Sequence, residues 1–176
     1  MPSVAAMWTT LTVWDDAQSG GGSVRAAGLD EDEARELNAI AAVLETLAVR
    51  VSPAFDATAI AQLRAASACF RWSGEDAGSL AIADHDFHSR LVERCGDERL
   101  LGTLAPVRES LYRWQARLTP RPDEIARAAD EHDAIVDALA RGDHATAAQR
   151  VREHVAAGLP GLLAETKIRD RHQGPP

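Results

Sequence analysis

The stretch Asp84-His85-Asp86-Phe87-His88 places two metal-competent side chains one helical turn apart in an otherwise apolar segment. In a helix of about 3.6 residues per turn, Asp84 and His88 project from the same face. Apolar residues recur at helical spacing and predict a buried stripe formed by Leu80, Ala83, Phe87, Leu91 and Cys95. Asp84 and His88 therefore lie on or beside the face directed to the core, whereas His85 and Asp86 point away from it.

Two further histidines fall inside apolar stripes. The helix predicted after Pro122 encloses His132 within a face formed by Ile125, Ala129, Ile135, Val136 and Leu139. The last long helix encloses His154 within a face formed by Ala147, Val151, Val155, Gly158, Leu159 and Leu162. The acidic neighbour Glu131 is predicted to point away from the core, so the sequence offers no clear general base.

Buried imidazoles need partners for both ring nitrogens, and a single metal ion can satisfy several of them together. One carboxylate and three imidazoles suit a divalent cation such as zinc, nickel, manganese, iron or cobalt. The predicted metal ligands are Asp84, His88, His132 and His154. A core of mutually hydrogen-bonded histidines is the alternative that the spacing leaves open.

These pieces together resemble a known family. The elements are Asp84-x-x-Phe87-His88, then Glu131-His132 followed by Ile135 and Ala138, then His154 after the Gly142-Asp143 turn and Ala147-Ala148. Their order and spacing are similar to those of the FCD domain, the effector domain of FadR-type regulators in the GntR family. The resemblance covers residues 30–165, which is most of the chain.

The resemblance implies an all-α antiparallel bundle of about six helices with an internal cavity. It also implies a divalent metal on the four ligands and a small organic acid that completes the coordination. Relatives are usually dimers, so a homodimer is expected. This chain has Ala41 where relatives carry an arginine three residues before Leu44-Glu45. If that arginine helps hold an acidic effector, its absence argues against carrying over the usual ligand of the relatives.

Composition bounds the remaining possibilities. The chain has 176 residues, of which 45% are hydrophobic and 5% aromatic, as in one soluble helical domain. A formal net charge of −8 argues against nucleic-acid binding by this chain alone. The sequence holds no apolar run of membrane-span length and no signal peptide, which predicts a cytoplasmic protein without membrane contact. Cys69 and Cys95 are predicted to be packed free thiols.

The chain divides into three predicted parts. Residues 1–29 form a lead that is a possible hairpin or flexible, with a β-prone run from Met7 to Val13. Residues 30–166 form the FCD-like metal- and ligand-binding domain, and residues 167–176 a frayed tail. In relatives a winged helix-turn-helix precedes the effector domain, and the lead is too short for its recognition helix.

Helix boundaries follow from acidic caps, proline and glycine. The first helix starts after Asp30 and carries a predicted buried stripe of Leu37, Ile40, Leu44, Leu47 and Val51. The next helices run from about Ala57 to Trp72 and from about Glu75 to Cys95. His144 and His172 are read as surface or capping residues.

The helix that starts at Glu98 carries candidates for ligand binding. Its apolar stripe is Leu101, Leu104, Val107, Leu111, Trp114 and Leu118. An inward-turned arginine from this helix could hold a carboxylate through its planar fork. Arg108, Arg113 and Arg117 are available for this role, and Tyr112 is a further ligand-binding candidate.

Three functions remain compatible with these residues. The first is a metal-dependent binding module for a small organic acid, without a DNA-binding half in this chain. The alternative is a metalloenzyme that acts on a small carboxylate substrate at the same Asp/His3 site, because a metal with open positions can polarise a carbonyl or activate water. The third is a structural metal that only links helices. Catalytic residues are not identified by the sequence.

Overall fold

The computed structural model describes residues 29–74, 76–118 and 120–172, with side chains up to residue 158. Its helices are α1 (Glu31–Val51), α2 (Ala57–Trp72), α3 (Ala77–Val92), α4 (Glu98–Gln115), α5 (Pro122–Ala140) and α6 (His144–His172), with a single 3-10 turn at Glu93–Cys95. The described part contains no strand. The all-α prediction is confirmed, whereas the predicted hairpin in the lead falls on residues 1–28, outside the described residues.

Aspartates fix the starts of several helices. The Asp30 carboxylate accepts from the Glu33 backbone N–H at 2.8 Å, and the Glu33 side chain accepts from the Asp30 N–H at 3.0 Å. This capping box satisfies amides that have no partner within the helix. The carboxylates of Asp56, Asp76 and Asp97 likewise accept from backbone N–H groups at the starts of α2, α3 and α4, without the reciprocal glutamate contact. Such caps explain why the predicted boundaries agree with the structure to within two or three residues.

All six helices contribute side chains to one apolar core. α1 packs against α6 and α4, α3 against α2 and α4, and α5 against α2 and α6. The largest fully buried apolar side chains are Val49, Leu63, Phe87, Leu91, Leu104, Leu111, Ile135, Val136, Leu139 and Val151. The apolar stripes predicted for α3 and α5 are buried throughout, so both faces are confirmed. This packing turns His88, His132 and His154 toward one another.

The prediction for the buried face of α1 is wrong. Ile40, Leu47 and Val51 are 45%, 44% and 52% exposed, and Leu37 and Leu44 are only half-buried. The buried face is instead formed by Ala34, Asn38, Ala41, Ala42, Glu45, Ala48 and Val49. Small alanines let α6 and α4 approach closely, and the polar members of this face have partners inside the bundle.

The structure also tests two smaller predictions, on the cysteines and on membrane-spanning helices. Cys95 is buried as expected, but Cys69 is exposed. Both cysteines are free thiols. None of the described helices combines the length and the apolar character that a membrane span requires.

Candidate metal centre

Three helices bring the predicted ligands to one point in the bundle. Asp84 and His88 come from α3, His132 from α5 and His154 from α6. One donor atom from each of the four side chains lies within 4.8 Å of all the others. The i,i+4 pair on α3 supplies half of the group, and the apolar faces of α5 and α6 direct the other two imidazoles inward. The structure thus brings together all four residues that the sequence singled out.

The imidazole nitrogens that meet are all Nε2 atoms. The His154 Nε2 lies 3.1 Å from the His132 Nε2 and 3.3 Å from the His88 Nε2. The Asp84 Oδ1 lies 3.6 Å from the Nε2 atoms of both His88 and His132. Ligands held about 2.0–2.1 Å from a shared ion stand roughly 3 Å apart. The four donor atoms therefore have the spacing of ligands around one small cation.

A buried ion-pair network supports this group from α1 and α4, and we call it the polar side. The Glu45 Oε2 lies 2.6 Å from the His88 Nδ1. The Glu45 Oε1 lies 3.3 Å from the Arg108 Nη1, an ion pair without the alignment of a hydrogen bond. The Arg108 Nη2 then donates to the Asp84 Oδ2 at 3.4 Å. Glu45 and Arg108 thus hold both metal-competent residues of α3.

Electrostatics keep the Glu45 carboxylate ionised. Burial alone would raise its pKa, but the Arg108 guanidinium and the His88 imidazole outweigh burial and lower the pKa of Glu45 to about 2. An ionised carboxylate can only accept hydrogen bonds, so the His88 Nδ1 carries the proton of this contact. When the His88 ring is neutral, its Nε2 presents a lone pair to the cluster.

Glu131 holds the His154 imidazole as Glu45 holds that of His88. Its Oε2 lies 2.7 Å from the His154 Nδ1, and its Oε1 accepts from the Arg127 Nη1 at 2.6 Å. Burial opposes ionisation, yet the hydrogen bonds from His154 and Arg127 lower the pKa of Glu131. The prediction that Glu131 points away is wrong, because α6 packs close enough to α5 for a side chain at the edge of the stripe to reach it.

His132 is the most deeply buried member of the cluster. Its ring stacks on Phe87 with centroids 3.8 Å apart, and Phe70 meets it edge-on at 5.0 Å. Its Nδ1 is buried without a partner among the described residues. Burial first, then the neighbouring His154 and His88, lowers the pKa of His132 well below its ordinary value. His132 is therefore a neutral imidazole.

Counting protons tests whether hydrogen bonds alone could satisfy the cluster. With neutral rings, the Nε2 of His88 and of His154 are both acceptors, since each Nδ1–H is held by a glutamate. Asp84 Oδ1 is a third acceptor, and His132 can supply one N–H at most. One donor therefore serves three acceptors, and the His132 Nε2 lies 3.1 Å from the His154 Nε2 and 3.6 Å from the Asp84 Oδ1. A divalent cation accepts electron pairs from all four atoms, so the residues fit a metal.

The remaining candidate residues divide between the cluster and the surface. Arg108 is buried and joins the cluster, as described, whereas Arg113 is 67% exposed and faces Glu109. Tyr112 is half-buried with its ring 5.2 Å from that of His85. Burial, and then the Arg108 charge, lowers the pKa of His85. His144 is half-buried, and its Nδ1 lies 3.2 Å from the Val49 carbonyl oxygen.

A cleft reaches the cluster at Asp84 and is not lined by Glu45 or Arg108, and we call it the open side. It encloses about 550 Å³ of empty space, part of which is open to solvent. Asp84 forms part of its wall, together with Phe70, Ala77, Leu80, Ala81, Gln115, Leu118, Pro120, Glu124, Ile125, Arg127, Ala128 and Gly158. The polar side has a smaller recess, lined by Glu45, His88, Ser89, Val92, Leu101, Leu104 and Arg108.

Comparison with known proteins places this architecture in a family. Residues 36–157 match the FCD domain, and because this is well over half of the sequence the chain belongs to the FCD domain family. The match spans α1 to α6 and includes all four residues of the cluster. The predicted family is thereby confirmed.

One solved structure shares the fold. It is the crystal structure of a transcriptional regulator, a GntR family member from Pseudomonas syringae pv. tomato str. DC3000. The superposition has a TM-score of 0.67 at 16% sequence identity and covers 82% of this chain. This chain spans 61% of the length of the regulator, and at this identity the likeness shows the fold alone. No curated protein matches the sequence.

Proposed function

We propose that this chain is an effector-binding module that holds a divalent metal on Asp84, His88, His132 and His154 and binds a small organic acid there. The observation that supports this most is the proton count, in which one N–H donor faces three acceptors inside the bundle. Zinc, nickel, manganese, iron and cobalt all suit this donor set. When bound, the ion supplies open positions that a carboxylate can fill.

The carboxylates around the cluster are suited to support ligands. Glu45 and Glu131 each hold an imidazole Nδ1–H, which fixes the tautomer and turns the Nε2 lone pair inward. Since both carboxylates already serve this purpose, the geometry favours binding over catalysis. The enzyme alternative predicts that a bound acid is chemically changed, and mass spectrometry of the acid after incubation distinguishes the two.

Ligand binding at this point would connect most of the bundle. The cluster joins α3, α5 and α6, and Glu45 and Arg108 extend it to α1 and α4. A ligand that prefers one arrangement of these helices shifts the population toward that arrangement. Effector binding in this module thus acts by changing helix packing, and a partner chain or second copy would sense the change.

Self-association is the second part of the proposal. The outer face of α1 exposes Ile40, Val43, Leu47 and Val51, at 44–60% of their surface. In an antiparallel pairing of two copies, Glu36 of one α1 faces Arg50 of the other, so the face is complementary to itself. A homodimer through α1 is therefore proposed. Light scattering should give a dimer for the chain and a monomer for Leu47→Glu, whereas a monomeric wild type would refute it.

Metal titration calorimetry tests the metal site. His132→Ala and His154→Ala should each lower bound metal sharply, because each removes an Nε2 donor from the cluster. Circular dichroism should show helix content near that of the wild type for both variants at moderate temperature. His144→Ala is the matched control, since His144 belongs to α6 but contacts the Val49 carbonyl instead of the cluster. Full metal retention in both test variants would overturn the assignment.

A further inference from the structure

Asp84 is the most exposed member of the cluster. The His88, His132 and His154 side chains are 3%, 0% and 7% exposed, whereas Asp84 is 18% exposed. Asp84 is also the one cluster residue that lines the open-side cleft. A molecule that reaches the four donor atoms by this route therefore passes along the walls of the cleft.

The walls of that cleft are mainly apolar. Phe70, Leu80, Ala81, Leu118, Ile125 and Ala128 supply most of its surface. Phe70, Leu80 and Ile125 also belong to a buried cluster between α2, α3 and α5, so this part of the wall is held in place by the core. Apolar walls favour a ligand that removes its own apolar surface from water.

The charged groups at the cleft already have contacts within the protein, and Gln115 is a further polar group in its wall. Arg127 donates to Glu131, the carboxylate that holds His154, and Glu124 accepts from the Arg121 backbone N–H. The buried Arg108 faces the other side, where it contacts Glu45 and Asp84. Among the lining residues, a second carboxylate on the ligand would find donors in Gln115 and in Arg127, which already binds Glu131. Elsewhere it would lie against apolar walls, where leaving such a group without partners is costly.

From these contacts we infer that the acid bound by this chain is a monocarboxylate with an apolar body, such as a short alkyl or phenyl group. Its carboxylate lies at the Asp84 end of the cleft, and its body lies against Leu80, Ile125 and Ala128. Hydroxy acids with two or three carboxylates are the disfavoured class. This inference rests on the proposed function and narrows its ligand.

Calorimetry on the zinc-loaded full chain tests the inference with acetate, butyrate, hexanoate, phenylacetate, malate and citrate as probes. Each methylene buried from acetate to hexanoate should tighten binding about fourfold. Hexanoate and phenylacetate should bind at least about tenfold more tightly than malate or citrate. Malate or citrate binding more tightly than hexanoate, or affinity that does not change with chain length, would overturn the inference.

A pair of variants on α5 locates the apolar body. Ala128→Asp places a carboxylate in the cleft wall and should remove the dependence of affinity on chain length. Ala126→Asp, at an exposed position two residues earlier outside the cleft, should keep that dependence. Equal behaviour of the two variants would place the body elsewhere and contradict the inference.

The outcomes also separate this inference from the proposed function. If the chain retains no zinc, or if none of the six probes binds to zinc-loaded protein, the proposed function fails and the inference falls with it. If malate or citrate binds best, the metal site and the effector role stand, and the apolar-ligand inference alone is wrong.

Discussion

The two sides of the histidine cluster are built from opposite chemistry. On the polar side, Glu45 is fully buried and joined to Arg108 and His88 by contacts of 2.6–3.3 Å. On the open side, apolar residues line a cleft that reaches Asp84. Charged groups inside a bundle are stabilised only when partners surround them, whereas an apolar wall can remain without a protein partner at moderate cost. The polar side thus supports Asp84 and His88, and the open side is available to a small molecule.

A substitution that breaks the polar side should cause the largest loss in the free energy of unfolding. Arg108→Leu leaves Glu45 and Asp84 without their shared cation, and loss of one partner of a buried ion pair costs about 3–5 kcal/mol. Urea unfolding followed by circular dichroism measures this loss in the free energy of unfolding. Arg113→Leu on the same helix is the control and should change that free energy by less than about 0.5 kcal/mol, because Arg113 is 67% exposed.

Equal stabilities for the two arginine variants would mean that the Glu45 contacts do not hold the bundle together. A double variant sharpens the result further. Glu45→Leu combined with Arg108→Leu removes both charges, so it should be more stable than Arg108→Leu alone.

Substitution of the two glutamates that hold His88 and His154 should have effects of intermediate size on metal affinity. Glu45→Gln and Glu131→Gln each keep an oxygen that accepts from an imidazole Nδ1–H but remove the negative charge. Glu45 is fully buried and Glu131 is 31% exposed, so water screens the second charge more. Metal affinity should fall about 10–100-fold for Glu45→Gln and less than about tenfold for Glu131→Gln. A larger fall for Glu131→Gln in metal titrations would reverse the comparison.

The smallest effect is expected on the open side. Gln115 is half-buried in the cleft wall and lies on α4, away from the cluster donors. Gln115→Ala should change the free energy of unfolding by less than about 0.5 kcal/mol and leave metal affinity unchanged. Thermal unfolding with and without metal measures both quantities. A loss of metal binding in this variant would show that the open side also supports the ligands.

Local patterns in the sequence account for most of the fold. Aspartate caps and glycine turns mark the helix ends, and the period of the apolar residues on α3 and α5 identifies the faces that carry His88 and His132. The same reasoning fails on α1, where the large apolar residues are exposed and Ala41 and Glu45 are buried. The buried face of α1 is chosen by its neighbours in the bundle, and the hydrophobic period of one helix does not contain that information.

The four cluster residues could be predicted from the sequence. The residues that hold them in place could be predicted only in part. Arg108 was one of three equivalent arginines on α4, and its neighbours Asp84 and Glu45 come from α3 and α1. Glu45 lies 43 positions before His88, so no local spacing connects them. Glu131 is adjacent to His132 but supports His154, on another helix. Contacts of this kind depend on how helices pack, which a single sequence does not display.

X-ray diffraction from crystals grown with zinc, recorded at the zinc absorption edge, tests the central claim most directly. The four donor atoms are already within 4.8 Å of one another. The proposed site predicts one anomalous peak per chain, contacted by the Nε2 atoms of His88, His132 and His154 and by an Asp84 oxygen. No peak between these side chains, with the three imidazoles hydrogen-bonded to one another or to water, would contradict the metal site and the function proposed from it.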